Sequence, residues 1–385
     1  MRVVIVDLLC NSPFYCVSLT KALGEAGAQA ELASPEFYLE PGSIPRSLRS
    51  PWIADVTIHA SSPRAVRLSS RLLELSYNLR RLAREVRNGE YDVVHVQWVP
   101  FQERQSFLMA RLRAACDRSG ALLAFTAHNI IPHDSPTADR SLIRKNIEMA
   151  DLVIAHTTAV AEGLRGDVGV KREIAVIPHG PLFSDRVLAP KAQAARRLGM
   201  TDGPVVLYQG TILPYKGLDL LADAWPSVLE VHPTAQLAVV GRSGTADLRR
   251  LLARMAKMDG VRVVDHYVST GLMLDYYGAC DVVVFPYKAI SQSGALMTAV
   301  GLGRPAVITP LPGFLEQAAG LDSILVAADL SGRALAHVLG AALDDRTRLA
   351  EEALAAKRRI AGSPIGWPSV ARRTLEEYSR ATALA

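Results

Sequence analysis

The sequence has few of the residues that build metal centres and disulfide frameworks. Its 385 residues include four cysteines, and none of them forms a C-x-x-C pair or a zinc-binding spacing. We therefore expect Cys10, Cys16, Cys116 and Cys280 to be small buried hydrophobic residues. A pair of aspartates one residue apart (D-x-D), whose carboxylates could hold a divalent cation, occurs nowhere in the chain. The sequence thus predicts no metal site.

Long apolar runs and strong charge are also missing. No apolar stretch approaches the ~20 residues that cross a bilayer. Met1 and Arg2 lead directly into the apolar residues 3–6 without a small-residue cleavage site, which favours a first strand over a signal peptide. The four cysteines without a disulfide pattern predict a cytoplasmic protein. The net charge is only +5 and aromatic residues make up 6% of the chain, with no interleaving of aromatic and basic residues. Nucleic acid is therefore not an expected partner.

Short Val-, Ile- and Leu-rich runs alternate with longer amphipathic stretches, which is typical of parallel β-α units. The length favours two domains. Predicted strands in the first half are residues 3–8, 93–96, 122–126, 152–155 and 175–177. Predicted strands in the second half are residues 205–208, 237–240, 261–264, 282–285, 306–309 and 324–326. Helical periodicity is clearest at residues 218–231, 247–258 and 295–302.

The predicted fold is α/β, with two doubly wound Rossmann-like domains facing a central cleft. The first domain spans residues 1–188 and the second spans residues 200–364, joined by a polar linker that follows Pro178-His179-Gly180-Pro181. Residues 365–385 form a closing helix that returns to the first domain. Residues 34–63 contain five prolines and are expected to be irregular.

Two turns in the second half have the chemistry of a diphosphate site. Gly210 and Lys216 lie between a predicted strand and a helix, and Ser293 and Gly294 lie between another strand and helix. A diphosphate needs cations and backbone N–H donors, which a lysine and a helix N-terminus supply without a metal. Arg242, after Val239-Val240-Gly241, either adds a second positive charge or is a surface arginine.

The order of these motifs resembles family 4 of the GT-B glycosyltransferases. The segments that carry the resemblance are Ile177-Pro178-His179-Gly180, residues 208–218, Val239-Val240-Gly241, residues 281–287, residues 291–296 and Gly303-Arg304-Pro305. The family implies a retaining transfer of a sugar from a UDP- or GDP-linked donor, and the missing D-x-D pair predicts that this transfer needs no metal. It names no acceptor, which could be a glycan, a lipid-linked sugar or a small molecule. The nucleotide sugar is a co-substrate, so no resident cofactor is expected.

The resemblance also implies roles for individual residues. The histidine that follows the strand at 122–126 lines the reacting centre in the family, and His128 matches it as the predicted catalytic residue. The expected residues on the acceptor side are Asn11, Asn129 and His133. The expected donor-binding residues are Gly210, Thr211, Lys216, Arg242, Gln292, Ser293, Gly294, Ala295, Thr298 and Glu316. His128 could instead satisfy loop backbone groups.

Three family features are missing. The first glutamate of the family's E-x7-E element is replaced within residues 290–293 and the second by Thr298, which cannot hold two hydroxyls as a carboxylate does. The arginine that accompanies the lysine is absent, and so is glycine from the loop after the first strand. A catalytically silent GT-B binding or scaffold protein is therefore an alternative, and a sugar-nucleotide epimerase a more distant one.

A basic helical stretch at residues 64–87 allows two interpretations. It contains seven arginines and two glutamates, and Leu68, Leu72, Leu75, Leu79 and Leu82 are spaced as one apolar stripe. Such a helix can lie on anionic lipid at the inner face of a membrane, which would suit a lipid-linked acceptor. The favoured interpretation is an ordinary helix that packs its leucines into the core and leaves a solvated basic face.

Overall fold

The structure is a computed structural model that describes residues 1–56, 64–99, 106–129 and 139–384, with the backbone alone at residues 64, 67 and 68. His133, predicted on the acceptor side, lies outside the described residues. The chain divides into two compact units. The N-terminal unit comprises Met1–Gly180 and Gly362–Ala385, and the C-terminal unit comprises Pro181–Ala361.

The N-terminal unit is built on a parallel sheet, whose six strands within the described residues have the order β2-β1-β3-β4-β5-β6. The strands are β1 (Arg2–Val6), β2 (Gln29–Ala33), β3 (Val93–Val96), β4 (Leu122–Ala127), β5 (Leu152–Ala155) and β6 (Ile174–Val176). The helices are α1 (Pro13–Glu25), α2 (Arg64–Arg87), α3 (Phe107–Ser119), α4 (Arg140–Glu148), α5 (Thr158–Gly163) and α14 (Trp367–Leu384). The connections run in opposite directions from β1, which puts a topological switch point between β1 and β3.

The C-terminal unit repeats this architecture with the strand order β12-β11-β10-β7-β8-β9 among its described residues. The strands are β7 (Val205–Gln209), β8 (Gln236–Val240), β9 (Val261–Val264), β10 (Val282–Phe285), β11 (Ala306–Ile308) and β12 (Ile324–Val326). The helices are α6 (Lys191–Leu198), α7 (Leu218–Val231), α8 (Ala246–Met255), α9 (Thr270–Ala279), α10 (Gly294–Leu302), α11 (Pro312–Ala318), α12 (Gly332–Asp344) and α13 (Arg346–Arg359). Its switch point lies between β7 and β10.

Every predicted strand is present, and most are apolar runs that the sheet buries on both faces; β3 and β5, for example, are buried at all four positions, whereas the edge strand β9 is only partly buried. β2 was not predicted. It is an edge strand with the sequence Gln-Ala-Glu-Leu-Ala; it pairs with β1 along its length and forms a single bridge to Arg49 through Leu32. A half-exposed edge strand tolerates polar residues, so it lacks the apolar run that marks the others.

The closing helix α14 belongs to the N-terminal unit. Tyr378 is fully buried, and its hydroxyl lies 2.6 Å from Nδ1 of His95 on β3. Nε2 of the same imidazole lies 2.7 Å from the hydroxyl of Thr126 on β4. Both nitrogens of this buried ring are therefore bonded, and they tie α14 to the centre of the sheet.

Helix α2 buries polar side chains and exposes apolar ones. Asn78 is fully buried and bonds the backbone of Ala54 through both amide atoms, and Glu74 accepts from the N–H of Val56. Leu79 and Leu82 are buried as predicted, but Leu72 is 46% exposed. The predicted stripe was wrong at Leu72 because the side of α2 that carries Glu74 and Asn78 faces the extended segment at 54–56. No helix of the described residues is long and apolar enough to cross a membrane.

Candidate functional site

The C-terminal unit places a lysine and a helix N-terminus on the two strands that flank its switch point. Lys216 ends the short 3-10 turn Pro214–Lys216 in the loop after β7. Ser293 is the N-cap of α10 in the loop after β10. The two strands are hydrogen-bonded neighbours. Both loops therefore leave the sheet edge at which open α/β sheets bind ligands.

Glycines let the loops at this edge approach each other closely. Gly217 has φ 65°, and a Cβ there would lie 1.8 Å from the carbonyl oxygen of Pro286. Gly241 has φ 147°, and its Cβ would lie 1.9 Å from the carbonyl oxygen of Gly210. Any side chain at these two positions would push the loops after β7, β8 and β10 apart.

The ammonium group of Lys216 has no counter-ion within the described residues. Its Nζ lies over the ring of Tyr287, 5.3 Å from the centroid, and beside Gly210, whose added Cβ would be 3.5 Å away. Burial lowers the pKa of Lys216 to about 8. A half-buried cation facing an aromatic ring and no carboxylate has an uncompensated desolvation cost, which an anionic ligand would offset.

The N-terminus of α10 offers backbone donors beside this lysine loop. The hydroxyl of Ser293 accepts from the N–H of Leu296 at 3.1 Å, and the N–H of Ser293 donates to Oε1 of Gln317 at 2.8 Å. The N–H groups of Gly294 and Ala295 make no hydrogen bond among the described residues. Two free amides at the positive end of a helix dipole form an anion site.

Four other predicted donor-binding residues are exposed or half-buried in the C-terminal unit. Thr211 and Arg242 are exposed, and the N–H of Ile212 donates to the Arg242 carbonyl at 3.0 Å, which joins their loops. Gln292 is half-buried, and Glu316 is exposed on α11.

Thr298 lies inside α10 rather than at its N-terminus. It is buried, and its hydroxyl donates to the carbonyl of Gly294 at 2.9 Å. Because that bond uses the hydroxyl proton, Thr298 offers a ligand only its lone pairs. The loss of the family's second glutamate thus leaves a self-satisfied side chain at this position.

In the N-terminal unit, four buried polar side chains follow four neighbouring strands. Gln97, His128 and His156 come directly after β3, β4 and β5, and His179 comes three residues after β6. All four are at most 5% exposed. Nε2 of His128 donates to Oε1 of Gln97 at 3.1 Å. The carboxyl ends of parallel strands meet at one edge, so these side chains form a row along it; we call this row the histidine edge.

Aromatic rings enclose the histidine edge. The ring of Trp98 stacks on His128, with centroids 5.1 Å apart and planes 7° apart. The ring of Tyr15 on α1 makes an edge contact with His128. Its centroid lies 5.2 Å from that of His156 and 4.7 Å from that of His179. The Trp98 indole N–H donates to the hydroxyl of Ser12 at 3.0 Å, linking the loop after β3 to the loop after β1.

Burial favours the neutral form of the imidazoles of His95, His128, His156 and His179. Burial lowers the pKa of His156 to about 4 and that of His179 and His95 to about 3. Burial, followed by the neighbouring imidazole of His156, also lowers the pKa of His128 well below its usual range. The edge therefore has hydrogen-bond donors and acceptors but no positive charge, which suits a neutral polar ligand.

Asp7 is a buried carboxyl group at the end of β1, beside the switch point. Its Oδ2 accepts from the N–H of Ser12 at 2.8 Å and lies 3.8 Å from the thiol of Cys16, while Oδ1 has no partner in the described part of the chain. Burial raises its pKa. Cys10 in the same loop has φ 55°, so it adopts the left-handed conformation that a glycine would adopt easily.

The two remaining acceptor-side residues in the described chain are accessible. Asn11 is exposed in the loop after β1, and Asn129 is half-buried directly after His128. No group of three or more His, Cys, Asp or Glu side chains within the described ranges is arranged to hold a metal ion.

Two family models match this chain, one in each unit. Residues 14–180 match the model described as Glycosyltransferase Family 4, and residues 203–345 match the model described as Glycosyl transferases group 1. Together they cover most of the sequence. The chain belongs to glycosyltransferase family 4.

The curated relatives of this family 4 chain are named as different glycosyltransferases. Two of them are GDP-mannose:glycolipid 4-beta-D-mannosyltransferase of Xanthomonas campestris pv. campestris and D-inositol 3-phosphate glycosyltransferase of Kineococcus radiotolerans. The first is 28% identical over 238 residues, 58% of this chain and 63% of the relative. The second is 31% identical over 255 residues, 61% of this chain and 58% of the relative. The matches thus span less than two thirds of these relatives.

Solved structures of related fold match the family 4 chain over its length. Sucrose-phosphate synthase from Thermosynechococcus elongatus has a TM-score of 0.73 at 18% identity, with 100% of both chains covered. Anabaena HepE in complex with UDP has a TM-score of 0.69 at 15% identity, covering 99% of this chain and 100% of that one. The predicted GT-B fold is confirmed.

Within the histidine edge of this family 4 chain, only His128 was predicted as a site residue from the sequence. Gln97 and His156 were not predicted, nor were the buried Asp7 and the enclosing rings of Tyr15 and Trp98. Their positions in the sequence could have indicated them, because Asp7, Gln97 and His156 each directly follow the last residue of a strand. In an open parallel sheet that position faces the ligand edge.

Proposed function

We propose that the chain transfers a sugar from a UDP- or GDP-linked donor to a hydroxyl group of an acceptor, without a metal. The observation that carries the proposal is the pairing of an unneutralised lysine with unbonded helix amides. Lys216 and the amides of Gly294 and Ala295 lie on loops after adjacent strands at the switch point. Such an arrangement can hold a diphosphate and stabilise the charge that develops on it as the sugar leaves.

The comparisons support the donor class. Anabaena HepE was solved in complexes with UDP and UDP-glucose, and the Xanthomonas relative is named for GDP-mannose. A sugar carries no charge in its ring, so the neutral histidine edge is the complementary surface for it. We propose that His128 hydrogen-bonds the reacting sugar, that Trp98 fixes the plane of its ring, and that Asn11, Asn129 and His133 lie on the acceptor side.

We propose retention of anomeric configuration, as the family resemblance implies. The Xanthomonas relatives are named as 4-beta-D-mannosyltransferases. If this chain formed a β-mannoside from an α-linked GDP-mannose, it would be an inverting enzyme. Proton NMR of the isolated glycoside, whose anomeric configuration is fixed once the bond to the acceptor has formed, distinguishes the two outcomes.

The test of the function is a panel of nucleotide sugars, including GDP-mannose, UDP-glucose and UDP-N-acetylglucosamine. Each is incubated with the protein and with a lipid extract, oligosaccharides or simple polyols as acceptors, and release of the nucleoside diphosphate is measured. An active enzyme releases it faster with one acceptor class than without. A silent binding protein would bind a donor in calorimetry and release no nucleoside diphosphate with any acceptor.

We further propose that α2 contacts an anionic lipid surface. Val66, Leu73 and Tyr77 are 50%, 70% and 49% exposed. Exposed Arg80, Arg84 and Arg87 continue the same face at helical spacing. We call these six residues the exposed stripe of α2. Apolar side chains beside guanidinium groups suit insertion among anionic headgroups. A glycolipid acceptor, as in the name of the Xanthomonas relatives, would be presented there.

A further inference from the structure

The histidine edge contains a buried donor and a buried acceptor that no group in the described part of the chain uses. The acceptor is Nε2 of His156. The Nδ1–H of this ring donates to the carbonyl oxygen of Ile177 at 2.9 Å, so Nε2 carries the lone pair. It has no hydrogen-bond partner among the described residues, and His156 is 3% exposed.

The donor is the amide nitrogen of Gln97. Oε1 of this side chain accepts from His128, which orients the amide, and Nε2 has no partner within the described ranges. Gln97 is 1% exposed. The ring of His128 touches both groups, since it bonds Gln97 and its centroid lies 5.1 Å from that of His156. Buried polar atoms are nearly always paired, so two unpaired ones on either side of the reacting histidine indicate a ligand.

His95 shows that a buried histidine of this sheet does not generally keep a ring nitrogen without a hydrogen-bond partner. It lies on β3, one strand from His128, and both of its nitrogens are bonded, to Tyr378 and Thr126. The protein can therefore satisfy a buried imidazole completely where it serves the fold. At His156 the residues that the structure describes bond one nitrogen and leave the other without a partner.

We propose that Gln97 and His156 bind hydroxyl groups of a sugar substrate, with Gln97 Nε2 donating and His156 Nε2 accepting. A hydroxyl is both donor and acceptor and so matches this pair. A phosphate or carboxylate would meet the lone pair of a neutral imidazole, and an ammonium group would meet the amide N–H. The inference rests on the proposed function for the identity of the sugar, which belongs to the donor or to the acceptor.

The first test uses kinetics with Gln97→Glu, which keeps an acceptor for His128 but removes the donor, and with His156→Phe, which keeps a ring but removes the acceptor. His95→Phe is the matched control for the loss of a buried imidazole. The probes are GDP-mannose and its 2-, 3-, 4- and 6-deoxy forms. A site built to bond a hydroxyl rejects the analogue that lacks it. We expect the wild type to discriminate against at least one deoxy donor by about 100-fold or more in kcat/KM.

In one outcome, the two variants use the donor and its deoxy form with kcat/KM values within a few-fold of each other, whereas His95→Phe still discriminates. That outcome assigns the hydroxyl to the donor sugar. An unchanged donor profile with a raised KM for the acceptor in the two variants alone assigns it to the acceptor. If both variants keep the wild-type profile and the wild-type acceptor KM, the proposal is wrong.

The second test does not require turnover. In protein labelled with nitrogen-15 at histidine, His156 should show the Nδ1–H tautomer at pH 7 with an unbonded Nε2. GDP-mannose or UDP-glucose should shift the Nε2 resonance, whereas GDP or UDP alone should not. A silent protein would still show the shift, so failure of the proposed function and failure of this inference give different results. A His156 spectrum that is insensitive to both nucleotide sugars and to the acceptor found in the panel would refute it.

Discussion

The indole ring of Trp98 lies parallel to the imidazole of His128, with centroids 5.1 Å apart and planes 7° apart. The same indole is held from its other end by the hydrogen bond from its N–H to Ser12. His128 is thus fixed by a stacked ring and by the side chain of Gln97. This fixed orientation is what the catalytic role that we propose for His128 requires.

His128→Ala should cut sugar transfer by ~10²-fold or more, the scale for losing a positioned catalytic group. Nucleotide affinity should change little, because the protein groups that we propose bind the diphosphate lie in the C-terminal unit. Steady-state kinetics and calorimetry with the nucleoside diphosphate measure the two effects separately. His95→Gln, at a buried histidine outside the site, is the control. Turnover by His128→Ala at the wild-type rate would make His128 a structural residue.

Lys216→Ala should weaken binding of the nucleoside diphosphate by ~1.5–3 kcal/mol, the range for a hydrogen bond to a charged group. The pKa of Lys216 is lowered to about 8, so affinity for the wild type should also fall as the pH rises above 8 and the ammonium loses its proton. Calorimetry at pH 7 and pH 9 measures both effects. Lys288→Ala is the matched control, since Lys288 pairs with Asp219. Equal affinities for Lys216→Ala and wild type would remove Lys216 from the site.

Transfer should survive excess EDTA, and added magnesium or manganese should not accelerate it by more than a small factor. The physical reason is that Lys216 and the amides of α10 already supply the positive potential that a metal provides elsewhere. The rate is measured by release of the nucleoside diphosphate before and after dialysis against the chelator. An absolute requirement for a divalent cation would contradict the proposed mode of diphosphate binding.

Mild acid should destabilise the N-terminal unit. His95, His156 and His179 have folded pKa values of about 3 to 4, below the ordinary 6.5, so the unfolded chain binds more protons between these limits. Each group should lower the free energy of unfolding by about 1.4 kcal/mol per pH unit as the pH falls below about 6.5. Asp7, whose pKa is raised, acts in the opposite direction.

Urea unfolding at pH 7, 6 and 5 measures this dependence. His95→Gln removes one of the titrating groups, so its free energy of unfolding should fall less steeply than that of the wild type over the same interval. A free energy of unfolding that stays constant from pH 7 to pH 5 would show that these histidines are protonated in the folded state.

The exposed stripe of α2 should bind vesicles that contain phosphatidylserine and leave pure phosphatidylcholine vesicles unbound. Replacing Arg80, Arg84 and Arg87 with glutamine should lower the partition coefficient roughly 10²-fold, at about 1 kcal/mol for each arginine. Leu73→Ser should also weaken binding. Leu354→Ser is the control, because Leu354 is 43% exposed on α13. Cosedimentation measures partitioning, and equal binding of all variants would exclude α2 as the contact.

The sequence alone determined the architecture and located the loops that carry Lys216 and Ser293. A parallel strand buried on both faces needs a continuous apolar run, and β3, β5 and β10 could be located from such runs. The turn that carries Lys216 was identifiable because glycine, proline and lysine occur together within a few residues. Local chemistry, bounded by a strand and a helix, was sufficient for these features.

Only the tertiary structure decided which side chains meet. Gln97, His128 and His156 are separated by about thirty residues each in the chain, and the order of strands in the sheet brings them side by side. The orientation of α2 was decided in the same way, since Glu74 and Asn78 are buried only because the segment at 54–56 needs their hydrogen bonds. Helical periodicity records which residues share a face, but the neighbour that packs against the helix determines which face is buried.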